Sequence, residues 1–358
     1  MEIWALYLPA YHRIIENDIW WGTGFTEWDN VKKGKPLYFN HVQPQVPLNG
    51  YYDLSKVETL EAQAELAAMY GVTGFIFYHY WFQNSKLLLQ KPAENLLVNK
   101  DIKVKYSFCW ANEPWTRSWD GKNKDILMTQ EYGNKEEWIK HINYLIPFFK
   151  DSRYQKIDGK PVMYIYSASR IDCFNQMIDC WNNILKENGL NEVYIIEFIS
   201  TFNKDVYSCI TKAVLEFEPL YTTRFELSIF NKFKRILCKF FKITDYQDYD
   251  QIWKCILTRN RTYSNRLILK SCFCAWDNSP RKGKNSMIIK NSSPEKFEKY
   301  LDQLIRYDRK NTCNNIIVIN AWNEWGEGAF LEPSKYHEYR YLESIKNVLT
   351  KYNYKIGE

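Results

Sequence analysis

The chain has 358 residues, 46% hydrophobic and 25% charged, enough apolar matter for a large core and the wrong composition for a disordered or fibrous protein. A net charge of +6 without an arginine-rich stripe or a nucleic-acid motif excludes nucleic acid as an expected partner. Aromatic residues reach 17%, with 14 Trp and 27 Tyr, and such flat faces stack on sugar rings as readily as they fill a core.

The first predicted strand, 2–8, begins beside Met1 with no basic segment and apolar run before it, so no signal peptide is expected. A loop-like stretch rich in Gly, Pro and Asn follows at 20–52 and carries Trp21, Glu27 and Trp28. Apolar residues at helical spacing run over 54–70 and stop at Gly71. Further strands are expected at 74–79, 104–110, 162–166, 193–199, 213–217, 267–275 and 316–321, with helices at 135–149, 173–188 and 294–307. Ser293 before Pro294 reads as an N-cap followed by a first-turn proline. The stretch 221–266 reads as a long insertion before the seventh strand. Within it, 229–243 puts Ile229, Phe233, Ile236, Leu237 and Phe240 on one helical face and Lys232, Arg235, Lys239 and Lys242 on another. A basic amphipathic helix can make peripheral contact with an anionic membrane; the plainer expectation is that its apolar face packs on the body.

No run of about 20 apolar residues is present to span a membrane. Nine cysteines stand in no framework, since Cys272 and Cys274 form a C-x-C with no second pair at zinc-ligand spacing. Reduced thiols in a cytoplasmic protein, without metal or cofactor, are the expectation.

About eight strands alternating with helices predict an α/β fold, a (β/α)8 TIM-type barrel with extended loops on its C-terminal face. The alternative is a doubly wound open sheet. The whole of 1–358 is expected to be a single domain. Polar and aromatic residues gather just after the strands: His79, Tyr80 and Trp81; Trp110, Asn112 and Glu113; Trp276 and Asp277; Trp322, Asn323, Glu324 and Trp325. In a parallel barrel all these positions open onto one face, where active sites lie. The last cluster holds two carboxylates, Glu324 and Glu327, three residues apart among tryptophans and glycines. Cleaving a glycosidic bond needs such a pair, one carboxyl to protonate the leaving oxygen and one to act as base or to stabilise a cation-like sugar.

The segments Trp20-Trp21-Gly22-Thr23-Gly24-Phe25-Thr26-Glu27-Trp28, Tyr78-His79-Tyr80-Trp81-Phe82, Trp110-Ala111-Asn112-Glu113-Pro114-Trp115, Trp276-Asp277-Asn278-Ser279-Pro280-Arg281 and Trp322-Asn323-Glu324-Trp325-Gly326-Glu327-Gly328 together resemble the WbsX family. Its members occur among bacterial O-antigen and capsule biosynthesis proteins, labelled as glycosyltransferases. That family is similar to glycoside hydrolase family 99, the endo-α-mannosidases and endo-mannanases. The resemblance implies a carbohydrate-active barrel with Glu324 and Glu327 as its catalytic pair, acting on an oligosaccharide or a lipid-linked glycan. It implies that Glu324 deprotonates the sugar's own 2-hydroxyl, that Glu327 protonates the leaving oxygen, and that a 1,2-anhydro sugar forms on the way to net retention. Glu113 would bind the sugar.

Other readings stand beside this one. Glu113 could instead be the acid facing Glu324, for which a carboxyl separation of about 5–5.5 Å suits direct displacement with retention and about 6.5–9.5 Å suits inversion. Asp248-Tyr249-Asp250 matches the Asp-x-Asp of metal-dependent nucleotide-sugar transferases, although no Gly-rich phosphate loop accompanies it. A barrel that binds glycan without catalysis is the third reading, and the close carboxylates speak against it. His79, Trp81, Trp276 and the other tryptophans each have a plain alternative as core side chains beneath the rim.

Overall fold

Eight short runs rich in β-branched and aromatic residues are buried on both faces and form parallel strands. They are β1 (Glu2–Tyr7), β2 (Gly74–Phe82), β3 (Lys105–Trp110), β4 (Lys160–Ile165), β5 (Tyr194–Ile199), β6 (Ala213–Glu216), β7 (Leu267–Phe273) and β8 (Ile316–Asn320). The computed structural model describes residues 1–356 except 118–121, 202, 261, 264–265, 312–314 and 355. Each strand pairs in parallel with the next. β8 returns to β1, with Glu2 opposite Ile316 and Ala5 opposite Ile319, so the sheet is a closed eight-stranded barrel with helices around it. This is the (β/α)8 architecture that the order of elements predicts.

Strand alternation divides the apolar side chains into two layers. Trp4, Leu6, Ile76, Cys109, Tyr164, Phe198, Leu215 and Val318 fill the barrel. Ile3, Ala5, Tyr7, Phe75 and Phe77 belong to the layer shared with the helices. Fully burying a side chain such as Leu6 or Ile76 contributes roughly 1.5–3 kcal/mol, so the inner layer alone sets the barrel's register firmly. Among the outer helices, Val57–Tyr70 ends at Gly71 with φ 83°, a left-handed C-cap. Lys135–Lys150 is capped by Asn134, whose side chain accepts from the amides of Glu136 and Glu137. All eight cysteines among the described residues are free thiols.

The long first loop is more ordered than its composition suggests. It carries the helices Ile15–Trp21 and Glu27–Lys32, the second started by a capping box between Thr26 and Asp29. The stretch 221–266 holds most of the helix Leu220–Phe225 and then the helices Ile229–Phe241 and Tyr249–Thr258. It also supplies a strand, Asp245–Asp248, that pairs in parallel with Met287–Lys290. The helix Ile229–Phe241 departs from the plainer expectation. Its apolar face points to solvent, because its polar face is the one tied to the body through Lys232, Lys234 and Arg235.

Candidate active site

The barrel's inward rows continue past the strand ends into a cavity of about 370 Å³. The row Leu6 leads to Leu8, Ile76 to Tyr78 and Tyr80, Cys109 to Ala111 and Glu113, Tyr164 to Tyr166, and Leu215 to Phe217. Every second residue faces the same way, so these positions line the cavity as a direct result of strand parity. Trp21, Phe25 and Glu27 from the first loop and Trp115 close other sides. Tyr166 and Phe217 are 5.7 Å apart edge to face, an aromatic corner suited to a sugar ring.

The loop after β8 is fastened from several directions. Asn323 accepts from the Leu8 amide at 2.7 Å and donates to the Leu8 carbonyl at 3.0 Å, which staples the loop to the end of β1. Asn323–Glu324 pairs with Ala329–Phe330, and Trp325 stacks on Phe330 at 3.8 Å. The Trp325 ring donates to Glu332 at 2.7 Å, and its amide donates to the Tyr11 hydroxyl at 3.0 Å. Glycine is required twice in this turn. Gly328 has φ 62° and lies against Asp277, whose amide nitrogen would be 2.8 Å from an added Cβ. A Cβ on Gly326 would run into Glu27 and Arg281.

Arg281 joins three carboxylates. It sits in the short helix Ser279–Lys282 after β7, its side chain 9% exposed. Its Nε donates to Glu27 Oε1 at 2.6 Å, and its two terminal nitrogens reach Glu324 Oε1 at 2.7 Å and Glu327 Oε1 at 3.0 Å. Burial would lower the Arg281 pKa, but the three carboxylates hold it well above its ordinary value. Burial lifts Glu324 to about 8, opposed by Arg281 and reinforced by Glu327 and Glu27. Burial likewise raises Glu27, which also accepts from Asn30 at 3.1 Å. Glu113 is raised by burial too, against the pull of Arg170 at 3.4 Å.

Six of the predicted site residues therefore meet at the cavity: Trp21, Glu27, Tyr80, Glu113, Glu324 and Glu327. The others are placed around it. Parity turns His79 and Trp81 away from Tyr80 and onto the helix Lys135–Lys150. There the His79 and His141 rings meet at 2.9 Å, and Trp81 stacks on His141 at 4.4 Å. Burial pushes His79 down to about 3, so the ring is neutral. Trp110 donates to the Trp81 carbonyl, and Asn112 ties its loop to Ser167 and Tyr132. Trp28 donates to the Tyr52 carbonyl at 2.7 Å. Trp276 and Trp322 are buried. Asp277 lies in a neighbouring cleft, where His41 and Gln43 converge on it and hold its pKa down against burial. Of the Asp-x-Asp pair, Asp248 caps a helix and binds Asn291, while Asp250 binds Lys296 and Tyr300.

Tyr78, Tyr166, Phe217 and Arg281 line the cavity without having been singled out in the sequence. Parity counted from the strands would have found the first three. Arg281 closes a quoted motif, yet nothing in its spacing separates it from any loop arginine.

A family model described as Glycosyltransferase WbsX matches residues 3–345. The chain belongs to that family. It is 30% identical over 351 residues, 97% of its length, to a protein named "Uncharacterized protein WxcX" from Xanthomonas campestris pv. campestris. It spans about half the length of the curated relatives it matches, 49% in that case. Its fold is similar to that of a glycoside hydrolase-like protein, with TM-score 0.61 and 17% identity, covering 97% of this chain and 93% of the other. The family 99 endo-alpha-mannosidase from Bacteroides thetaiotaomicron is similar too, with TM-score 0.58 and 14% identity, covering 98% and 97%. These two likenesses bear on the fold, which the WbsX-family chain shares across its whole barrel.

Proposed function

We propose that this chain breaks and remakes glycosidic bonds of a bacterial cell-surface polysaccharide, with retention, using Glu324 and Glu327. The substrate is an oligosaccharide or a lipid-linked glycan, met on the cytoplasmic side; water as acceptor gives hydrolysis and a sugar hydroxyl gives transfer. The observation that carries the reading is the Arg281 guanidinium held between Glu324 and Glu327 beside an aromatic cavity. Arg281 engages Oε1 of each, which fixes the orientation of both carboxyl groups and leaves Oε2 to the sugar.

In the first step Glu324 takes the proton of the 2-hydroxyl, and O2 attacks the anomeric carbon. The bond to the leaving oxygen breaks, and that oxygen takes the proton of Glu327. In the second step Glu327 removes a proton from the acceptor, whose oxygen attacks the anomeric carbon. The C1–O2 bond opens and Glu324 returns its proton to O2. Two inversions give retention. Burial raises the basicity of Glu324, as deprotonating a weakly acidic hydroxyl requires. Glu327 is more exposed, at 25% of its side chain, and is the carboxyl better placed to exchange protons with a departing or arriving group.

Incubation with oligosaccharides, mannosides first, tests this. Glu324→Gln and Glu327→Gln should each lower turnover by about 10²–10⁴ while glycan binding by calorimetry persists. Wild-type turnover in both variants would remove the pair from the mechanism.

A further inference from the structure

The helix Ile229–Phe241 wears its hydrophobic side outward. Ile229, Phe230, Phe233, Ile236, Phe240 and Phe241 are each between 58% and 88% exposed. The opposite side is fixed to the body by polar contacts. Lys232 donates to the Phe225 carbonyl at 2.8 Å, Lys234 to the Tyr246 carbonyl at 2.5 Å, and Arg235 pairs with Asp245 at 3.2 Å. Cys238 is buried beneath them. The orientation is thus built in, and the exposed face is a contiguous apolar surface of the kind that marks an interface.

Charge identifies what fits it. Residues 220–243 hold six basic side chains and one acidic, Glu226. Residues 282–290 add Lys282, Lys284 and Lys290 with no acid. Lys239, Lys242, Lys282 and Lys284 are exposed, and Thr244 donates to the Lys284 carbonyl at 3.0 Å, which brings the second group beside the end of the helix. A second copy of the chain on this face would set these cations against their own images, because a two-fold contact pairs each patch with itself. Acyl chains under anionic headgroups satisfy both features, apolar centre and basic rim.

We infer that the helix Ile229–Phe241 docks the barrel on an anionic lipid bilayer, its apolar face below the headgroups and the surrounding lysines among the lipid phosphates. A cleft of about 1080 Å³ runs along the helix past Arg224, Lys239 and Lys282, and it shares Leu220 and Arg281 with the catalytic cavity. Docking therefore sets that cavity beside the lipid surface.

Vesicle flotation tests this without reference to catalysis. The 358-residue chain should float with phosphatidylcholine vesicles containing phosphatidylglycerol, float poorly with phosphatidylcholine alone, and be released by salt. F233E/F240E should lower the partition coefficient by about a hundredfold, and K239E/K242E by roughly fivefold per charge. All six positions on the exposed face lie outside the core, so far-UV circular dichroism and melting should match the wild type. Failure of the folded chain to float overturns the inference. So does equal binding to neutral vesicles, undiminished binding of F233E/F240E, or a dimer that ignores vesicles and is dispersed by F233E/F240E.

Discussion

Burial keeps a proton on Glu324 up to about pH 8, while Arg281 pulls the other way through a 2.7 Å contact. The proposed step needs one proton on the pair, carried by Glu327 while Glu324 is ionised, so activity should fall as pH rises through about 8, where the pair loses its last proton. The pH dependence of kcat/KM reads this directly. A limb that climbs through the same range would mean that turnover needs both carboxylates ionised, and it would overturn the division into one acid and one base. Arg281 is central to the balance. Without its charge, the three carboxylates would be buried together uncompensated. Residue type alone revealed the carboxylates, since Glu among Trp and Gly after a strand is unusual. It did not reveal Arg281, because a guanidinium becomes special through what it touches.

Strands were the most legible elements. A strand buried on both faces reads as an unbroken apolar run, and all eight expected strands are present within a few residues. The rim was less legible, because β2 extends to Phe82 and its alternation continues there. His79, Tyr80 and Trp81 look alike in sequence, but parity sends Tyr80 to the cavity and the other two to the outer helix. The helix Ile229–Phe241 shows a second kind of loss. Periodicity locates an apolar stripe and says nothing of what covers it. The loop after β8 depends on the neighbouring element through Asn323. Asn323→Ala removes both bonds to Leu8 and leaves its buried amide and carbonyl unpaired, at about 1–3 kcal/mol for each group. A lowered melting temperature together with a loss of turnover that exceeds any change in KM is the expected outcome.

At the scale of the molecule, the barrel has its seam between the first strand and the last, Glu2–Tyr7 beside Ile316–Asn320. A chain ending before Ile316 leaves β1 and β7 with bare edges and removes the partner of Leu8. Such a fragment is expected to aggregate rather than fold, and its recovery as a monomer with native circular dichroism would show that the seven remaining strands suffice. The seam also orders events in time. During synthesis β1 emerges first and waits, unpaired on one side, until β8 appears. Glu324 and Glu327 follow within a few residues of that moment, and their turn is held by contacts to Leu8 and Tyr11 at the other end of the chain. The cavity and the two carboxyl groups beside it are therefore assembled only when β8 closes the barrel against β1.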